Sequence, residues 1–374
     1  MNVLFVLGTR PEAIKLCPVV QFLRKDPSRF LPRVCVTAQH RQMLDQVLEV
    51  FGITPDHDLN LMRPGQTLSS TAARVVEGLA PVLEQEKPDL VVVQGDTTTT
   101  FAGALAGFYH RIPVAHVEAG LRTGDIYQPF PEEMNRLLTT RLSALHFAAT
   151  EWAADNLRKD GVDEERIAVT GNTGIDAVLY VAERLEKGLE QAPAWPQLDP
   201  GRKLIVVTAH RRENFGAGML NLAAALRELA RRTDVQIVYP VHPNPSVTGP
   251  IRQALSGADN ILLIEPLTYV PFVDLMRRSY FLLTDSGGVQ EEAPSLGKPV
   301  LVLRNKTERP EAVEAGTVKL VGTDTAVILD HARQLLEDGA IYRRMSRVHN
   351  PYGDGRSSER ISSLIYSFHL KNKS

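Results

Sequence analysis

Short apolar runs alternate with longer segments of helical periodicity along almost the whole chain. Because the runs are rich in Val, Ile and Leu and are nearly continuous, they predict strands whose two faces are both covered by helices. The predicted strands lie near residues 2–7, 33–37, 89–94, 113–117, 145–149, 167–170, 204–208, 235–240, 261–264, 280–284, 299–303 and 317–321. The clearest helical segments are 11–25, 41–51, 68–86, 132–142 and 357–370. This alternation is typical of an α/β fold with parallel sheets.

The pattern is interrupted once, between residues 191 and 202. The segment APAWPQLDPGR contains three prolines and one glycine and cannot extend a helix or a strand. A chain of 374 residues also exceeds the length at which one core keeps growing. We therefore expect two domains, each with one doubly wound sheet. The periodicity of the last helical segment does not show which domain it packs on.

Composition and charge narrow the function classes. The formal net charge is −2, so the chain has no overall attraction for nucleic acid or anionic lipid. No apolar run approaches the roughly 20 residues of a membrane span, and we expect a cytoplasmic protein. The opening MNVLFVLG lacks the basic lead of a signal peptide and predicts a first strand. Cys17 and Cys35 lack metal-ligand spacing, so buried reduced thiols are expected.

The loop after the first predicted strand, GTRPEAIK, has the features of an anion site. Thr9 and Glu12 fit a capping box, and Pro11 suits the first helical turn. Arg10 and Lys15 add positive charge at a helix end whose N–H groups already favour an anion. The alternative is a capped helix with solvated basic side chains.

A second loop, TDSGGVQEEAPSLGKP, follows the strand predicted at 280–284. Ser286 can cap a helix here, and Gly287 and Gly288 would let a phosphate approach the backbone N–H groups. Glu291 and Glu292 follow in the first turns, where a carboxylate could accept hydrogen bonds from ribose hydroxyls. The alternative is a helix start that packs tightly on a strand.

A third loop, TAHRRENFG, follows the strand predicted at 204–208. His210 stands beside Arg211 and Arg212, a combination suited to neutralising a departing diphosphate. A lone histidine is more often structural, but this one lies among arginines at an expected ligand edge. By contrast, HPNP at 242–245 lacks a second metal-ligand position and is interpreted as a loop determinant.

Carboxylates from three segments are expected to converge in the first half. The segments QGDTTTT, HVEAGLRTGD and PFPEEMNR place Asp96, Glu118, Glu132 and Glu133 after strands or at a helix start. Acid–base chemistry at carbon needs such groups close together. Taken singly, Asp96 could be a helix N-cap, and Glu132 and Glu133 could simply favour a helix N-terminus.

Several common catalytic motifs are absent from the sequence. It contains no G-x-G-x-x-G after the first strand and no G-x-x-x-x-G-K-[ST]. It also contains neither H-E-x-x-H nor G-x-S-x-G. Nicotinamide, P-loop, zinc-protease and serine-hydrolase chemistry therefore lack their signatures.

Together these segments resemble one family, the non-hydrolysing UDP-N-acetylglucosamine 2-epimerases, bacterial enzymes that interconvert UDP-GlcNAc and UDP-ManNAc. The similarity runs from residue 1 to beyond residue 355, and such long motifs in the same order are highly specific. The residues alone indicate only a diphosphate site with carboxylates. The matching segments are GTRPEAIK, TAQHR, QGDTTTT, HVEAGLRTGD, PEEMNR, TGNTGIDA, HRRENFG, YPVHPNP, TDSGGVQEEAPSLGKPVLVLR, TERPEAV, GTVKLVGTD and NPYGDG.

The resemblance implies a glycosyltransferase-B architecture, in which two Rossmann-like domains enclose the active site in the cleft between them. The final helix would cross back onto the first domain. The expected first domain is residues 1–170 with the C-terminal helix 357–374, and it would carry the catalytic carboxylates. Residues 171–356 would form the UDP-binding domain.

The resemblance also implies a reaction without cofactor or metal. A base removes the proton at C2 while UDP leaves C1, and UDP returns to the 2-acetamidoglucal after protonation of the opposite face. The residues implied in catalysis are Asp96, Glu118, Glu132 and His210. Glu118 or Glu132 would act at C2, His210 at the diphosphate, and Asp96 would position groups or exchange protons.

For UDP binding, the positions that match the family are Arg10, Lys15, Phe272, Ser286, Gly287, Gly288, Glu292 and Arg309, with Glu292 on the ribose. Leu267 replaces a glutamine found in some relatives, so a backbone contact is expected near Phe272.

Many bacterial members are also activated by UDP-GlcNAc in a second pocket, and most are homodimers. The residues that match this allosteric pocket are Gln39, His40, Gln42, Arg211 and His242. Some relatives carry an arginine before the glutamine of the RPGQTL segment, whereas this chain has Gly65 before Gln66.

Three other functions share some of these features. A glycosyltransferase of the same architecture would share the UDP site but need an acceptor. A hydrolysing epimerase would release free ManNAc and UDP. A UDP-sugar sensor without catalytic activity would not account for the carboxylate cluster.

Overall fold

The computed structural model describes residues 1–37, 41–63, 65–195, 197–307, 309–347 and 349–373, and does not describe the side chains of 41, 42 and 373. The chain divides into two compact units. The first contains Met1–Ala177 and Tyr352–Ser374, and the second contains Val178–Pro351. The functions assigned to the two stretches from the sequence stay predictions.

The first unit is built on a seven-stranded parallel sheet in the order β3-β2-β1-β4-β5-β6-β7. Its strands are β1 Asn2–Leu7, β2 Leu31–Val36, β3 His57–Asp58, β4 Leu90–Gln94, β5 Val114–Ala119, β6 Leu145–Ala148 and β7 Ile167–Val169. Its helices are α1 Arg10–Arg24, α2 Arg41–Val50, α3 Leu68–Glu86, α4 Thr98–Tyr109, α5 Glu132–Leu142, α6 Glu151–Lys159, the first residues of α7 Thr173–Glu186, and the last helix of the chain, α15 Ser357–Lys373.

The second unit has a six-stranded parallel sheet in the order β10-β9-β8-β11-β12-β13. Its strands are β8 Lys203–Thr208, β9 Val235–Pro240, β10 Ile261–Ile264, β11 Phe281–Thr284, β12 Val300–Val302 and β13 Val318–Leu320. Its helices are α8 Ala217–Leu229, α9 Pro245–Leu255, α10 Tyr269–Arg278, α11 Gly287–Glu292, α12 Pro310–Ala315, α13 Thr325–Glu337 and α14 Gly339–Arg347. Single 3₁₀ turns occur at Glu164–Arg166, Arg212–Asn214 and Ala293–Leu296.

The predicted α/β class with two parallel sheets is confirmed. All five residues of β4 are buried, as expected for a strand with helices on both faces. The sequence missed β3, because this two-residue edge strand, His57–Asp58, contains no apolar run. Cys17 and Cys35 are buried free thiols, and burial raises the pKa of Cys35 to about 12.

The last helix belongs to the first unit for a local reason. The carboxylate of Asp176 accepts hydrogen bonds from the backbone N–H groups of Ser357, at 3.2 Å, and Ser358, at 2.8 Å. These are among the N–H groups that a helix leaves without an internal partner at its start. Tyr366, further along α15, packs edge-on against Phe30 with ring centroids 5.8 Å apart.

Both sheets have one point where the strand order reverses. In the first unit it lies between β1 and β4, and in the second between β8 and β11. In doubly wound folds, ligands bind beyond the carboxyl ends of the strands at such a reversal. Three of the loops singled out from the sequence follow β1, β8 and β11, so they lie at these two points.

Candidate functional site

The loop after β1 is organised by a buried glutamate. Thr9 and Glu12 form the predicted capping box at the start of α1, with Pro11 in its first turn. The Glu12 carboxylate accepts the backbone N–H groups of Gly8, at 2.9 Å, and Thr9, at 2.6 Å. It also accepts the hydroxyls of Thr97, at 2.6 Å, and Thr100, at 3.1 Å, which lie beyond β4. Burial raises the pKa of Glu12. Glu12 therefore connects the two loops that flank the reversal.

Glu118 lies at the end of β5 in an unusual backbone conformation. Its φ is +61°, in the left-handed region that residues other than glycine seldom adopt. Its carboxylate forms an ion pair with Lys15 and accepts a hydrogen bond from the Gln94 side-chain amide. A Cβ added to Gly95 would lie 3.8 Å from Glu118 Oε2, so this carboxylate approaches the loop after β4. Lys15, which the sequence assigns to an anion, thus has a carboxylate partner, and its contact with UDP stays a prediction.

Asp96 follows β4 and is held by helix α5. Arg136 Nη2 lies 2.5 Å from the Asp96 carboxylate, and the Asn135 side-chain amide donates to the Asp96 carbonyl at 2.9 Å. The N-cap of α4 is Thr97, whose hydroxyl accepts from Thr100 N–H at 3.1 Å. The interpretation of Asp96 as the N-cap is therefore wrong, because the neighbouring threonine occupies that position.

The two glutamates that begin α5 have different environments. Glu133 is 1% exposed, accepts the Thr123 N–H at 3.0 Å, and lies 3.1 Å from Arg136 Nη1. It therefore supports the loop between β5 and α5, and it holds the arginine that binds Asp96. Glu132 is half-buried and, within the described part of the chain, has no ion pair. Because it precedes Arg136 by four residues, it lies on the same helix face as that arginine.

In the second unit, His210 follows β8 and contacts a buried aspartate. Asp285, directly after β11, is fully buried. Its Oδ2 accepts the backbone N–H groups of His210, at 2.9 Å, and Arg211, at 2.8 Å. His210 Nδ1 lies 3.4 Å from Asp285 Oδ1, and its ring stacks on that of His242 with centroids 5.5 Å apart. Burial lowers the pKa of His210. The charge of Asp285 raises this pKa, whereas the charges of His242 and Arg211 lower it further.

The glycine pair begins α11, and an arginine covers it. A Cβ added to Gly287 would lie 2.7 Å from Arg309 Cζ, so the guanidinium rests directly on this residue. Arg309 Nε also lies 2.5 Å from Glu291 Oε1. A Cβ added to Gly288 would lie 3.6 Å from Glu292 Oε1. The structure therefore brings Gly287, Gly288, Glu292 and Arg309 together at one helix start, and their binding of UDP stays a prediction.

One prediction for this loop, the helix cap at Ser286, is wrong. Ser286 occupies the N-cap position of α11 with an extended backbone, but its side chain makes no capping hydrogen bond. Its own N–H instead donates to the Thr284 hydroxyl at 3.0 Å. The N-terminal N–H groups of this helix are therefore left without the expected serine cap.

The other residues predicted for the site occur in several parts of the chain. Arg10 begins α1, is half-buried, and has no ion pair among the described residues. Phe272 is half-buried on α10. Of the residues expected in a second pocket, Arg211 and His242 lie beside His210. Gln39 and His40, together with the side chain of Gln42, fall outside the described residues.

Three residues that contact the candidate site residues are not identified from the sequence: Gln94, Arg136 and Asp285. Each is a polar residue at the end of an apolar strand or inside a motif already singled out. Gln94 ends β4, and Asp285 stands next to Ser286. Their position was visible in the sequence, but their partners were not.

The described residues form neither a candidate metal site nor a helix that could cross a membrane. No group of three His, Cys, Asp or Glu side chains there could hold a metal ion. In the same part of the chain, no helix combines the length and the apolar character needed to cross a membrane.

Comparisons with known proteins agree with one another. A family model described as UDP-N-acetylglucosamine 2-epimerase matches residues 22–366. The UDP-N-acetylglucosamine 2-epimerase of Yersinia pestis is 58% identical over 372 residues, covering 98% of each chain. That of Escherichia coli strain K12 is 56% identical over 370 residues, again 98% of each chain.

Among solved structures, the crystal structure of UDP-GlcNAc 2-epimerase from Neisseria meningitidis bound to UDP-GlcNAc is 51% identical to this chain. It matches with a TM-score of 0.89 and covers 98% of this chain and 100% of that chain. Sequence and structure thus lead to the same assignment. The chain belongs to the UDP-N-acetylglucosamine 2-epimerase family.

Proposed function

We propose that this chain catalyses the reversible C2 epimerisation of UDP-GlcNAc to UDP-ManNAc without net hydrolysis. The observation that supports this most strongly is the placement of carboxylates at the carboxyl ends of two neighbouring strands of the first sheet. Asp96 lies two residues after β4, Glu118 is the last residue but one of the neighbouring strand β5, and Glu132 begins the helix whose Arg136 binds Asp96. The Neisseria meningitidis relative, 51% identical, has been crystallised with UDP-GlcNAc.

The reaction needs a proton acceptor on one face of C2 and a proton donor on the other. A carboxylate takes the C2 proton, the C–H electron pair forms the C1–C2 double bond, and the C1–O bond breaks with its electrons on UDP. A protonated group then adds a proton to the opposite face of C2 while the UDP oxygen returns to C1. We assign these two tasks to Glu118 and Glu132, in an order that the assay below can determine.

Asp96 has a different proposed role. Its carboxylate is engaged by Arg136 at 2.5 Å. We propose that Asp96, held in place by Arg136, positions the sugar or relays a proton while the other two carboxylates act at C2.

The departing UDP carries negative charge that cations must stabilise. In the second unit, Arg309 lies over Gly287, and His210 lies beside Arg211 at the other side of the strand reversal. We propose that Arg309 and His210 bind the diphosphate together with the first N–H groups of α11. Ser286, Phe272, Arg10 and Lys15 are proposed as further UDP contacts and Glu292 as the ribose contact.

The direct test uses purified protein, UDP-GlcNAc alone, deuterated water and a chelator, with products followed by NMR. We expect UDP-ManNAc that carries deuterium at C2, and deuterium in the recovered UDP-GlcNAc as well. UDP-ManNAc without deuterium would contradict proton exchange. Free ManNAc and UDP as net products would favour a hydrolysing enzyme, and transfer to an added acceptor would favour a glycosyltransferase.

Variants assign the carboxylates. Because general acid–base groups contribute about 10²- to 10⁴-fold, E118Q and E132Q should each slow epimerisation by at least about 100-fold. Single-turnover exchange from UDP-GlcNAc and from UDP-ManNAc then shows which carboxylate serves which face. The matched control is E151Q, because Glu151 also begins a helix but is 74% exposed. Loss of activity in E151Q equal to that in E132Q would contradict the assignment.

A homodimer, activation by UDP-GlcNAc in a second pocket and a cytoplasmic location stay predictions.

A further inference from the structure

The strand reversal of the second unit contains a fully buried carboxylate that the sequence did not identify. Asp285 follows β11, and its Oδ2 accepts three N–H groups from the loop after the neighbouring strand β8. These are the backbone N–H groups of His210, at 2.9 Å, and Arg211, at 2.8 Å, and the side-chain amide of Asn214, at 3.1 Å. Three donors on one oxygen fix the orientation of the whole carboxylate.

The other oxygen faces the His210 ring. Asp285 Oδ1 lies 3.4 Å from His210 Nδ1, within ion-pair distance, and in this ring orientation it forms no hydrogen bond with any described residue. The imidazole is 43% exposed, so its outer edge remains accessible. Its face is covered by His242, whose ring is stacked at 5.5 Å and inclined by 15°. His242 thus restricts the ring on one face, and Nδ1 is the nitrogen that faces Asp285.

We propose that Asp285 is the positioning residue of His210: the buried Oδ1, which no described donor satisfies, draws the Nδ1–H into a hydrogen bond, and this bond fixes the tautomer and directs Nε2 towards the substrate. This inference rests on the proposed function, in which His210 acts at the diphosphate. The tautomer of a histidine is set by the hydrogen bond of its other nitrogen. Nε2 is then the nitrogen that gains a proton when the ring becomes cationic, and the Nε2–H can donate a hydrogen bond to the departing phosphate oxygen.

The alternative is that Asp285 only holds the loop after β8. Substitution by asparagine separates the two roles. The amide oxygen of Asn can still accept the backbone N–H groups of His210 and Arg211, so the loop keeps its main restraints. The amide NH₂ would then face His210 Nδ1 and require an acceptor there, which favours the opposite tautomer.

The effect of D285N on charge also has a defined direction. Burial lowers the pKa of His210, and the charges of His242 and Arg211 lower it further, whereas the charge of Asp285 raises it. D285N removes that opposing charge, so the pKa of His210 should fall further. If the cationic ring assists departure of UDP, the loss of kcat with rising pH should begin at a lower pH in D285N than in the wild type.

The first measurement does not depend on activity. In ¹⁵N-histidine-labelled full-length protein, the His210 signal is assigned by its loss in H210N. We expect the Nδ1–H tautomer in the wild type and the Nε2–H tautomer in D285N. An Nε2–H tautomer in the wild-type protein would overturn the inference even if D285N failed to fold.

The second measurement is kinetic and uses epimerisation in deuterated water. We expect D285N to lower kcat at least tenfold with less than a threefold change in KM, and to have no further effect in H210N. The matched control is N214A, which removes one donor to Oδ2 and leaves Oδ1 and His210 in place. Equal losses in D285N and N214A, or an equal D285N loss in the H210N background, would show a merely structural role.

The two proposals fail in different ways. If the tautomer changes as expected while no variant or wild-type protein forms UDP-ManNAc, the proposed function is wrong and the Asp285–His210 relation stands. If epimerisation occurs but the tautomer is the same in wild type and D285N, the relation is wrong and the proposed function stands.

Discussion

Alanine at Gly287 should displace an arginine without straining the backbone. The φ of Gly287 is not in the left-handed region, so alanine can adopt its conformation. The new Cβ, however, would lie 2.7 Å from Arg309 Cζ and 2.8 Å from both terminal nitrogens. Cβ atoms do not approach heavy atoms this closely, so the guanidinium must move. The far end of an arginine can do so, and we expect the variant to fold.

The cost should therefore appear in binding. In the proposed function Arg309 contacts the diphosphate, and a hydrogen bond to a charged group contributes about 1.5–3 kcal/mol. Losing it would weaken UDP binding by about 10- to 150-fold. Isothermal titration calorimetry with UDP measures this for G287A, R309Q and the double variant. Since both single variants remove the same contact, G287A should cost little more in the R309Q background.

Two results would refute this reasoning. UDP affinity in G287A equal to that of the wild type would show that the guanidinium does not bind the diphosphate from its position over Gly287. An undiminished G287A effect in R309Q would show that the methyl group itself blocks the ligand. G288A is the matched control for folding, because its Cβ would meet only Glu292 Oε1 at an ordinary 3.6 Å.

Two further predictions concern the first unit. Gly120 and Gly124 both have positive φ, at +95° and +80°, but only a Cβ at Gly120 would meet a backbone atom, the Ala153 carbonyl oxygen at 2.1 Å. Denaturant unfolding should therefore show G120A to be less stable than G124A by at least about 2 kcal/mol, and equal losses would contradict the steric account. Burial lowers the pKa of His116 from 6.5 to about 3. The unfolded chain therefore binds a proton below pH 6.5 that the folded chain does not, and the free energy of unfolding falls as pH decreases from 6.5 towards 3. This amounts to about 2 kcal/mol at pH 5. H116Q, which can keep the 2.7 Å hydrogen bond to the Gly95 carbonyl, should lack this component in unfolding curves measured at pH 5 and 7. The same pH dependence in both proteins would contradict it.

The elements could be predicted from the sequence because each strand is a short apolar run that both faces of a sheet can bury. The exception is β3, which the apolar pattern does not predict. This strand pairs with β2 at the edge of the sheet through His57 and Asp58 and contains no apolar run. The loops of the candidate site also have a local signature, because charged residues and glycines directly follow the apolar runs. Local patterns thus indicate where candidate sites lie along the chain.

The pairing of charges could not be predicted in the same way. Lys15 and Glu118 are 103 residues apart, and Asp96 and Arg136 are 40 apart. Many lysines, arginines and carboxylates have equivalent local patterns, and only the strand order decides which of them meet. Lys15 was therefore assigned to a phosphate from its position at a helix start, although the strand order places it beside a carboxylate.

The two units stabilise their strand reversals by the same arrangement. In the first, the Glu12 carboxylate accepts backbone N–H groups of its own loop after β1 and hydroxyls from the loop after β4. In the second, the Asp285 carboxylate, after β11, accepts N–H groups from the loop after β8. A buried carboxylate has two acceptor oxygens, so it can accept donors from two loops at once. Each therefore fixes two loops relative to one another, and in the second unit the stacked rings of His210 and His242 stand beside such a carboxylate before any ligand binds. If the proposed reaction is correct, this preorganisation is what removing either buried carboxylate should impair most.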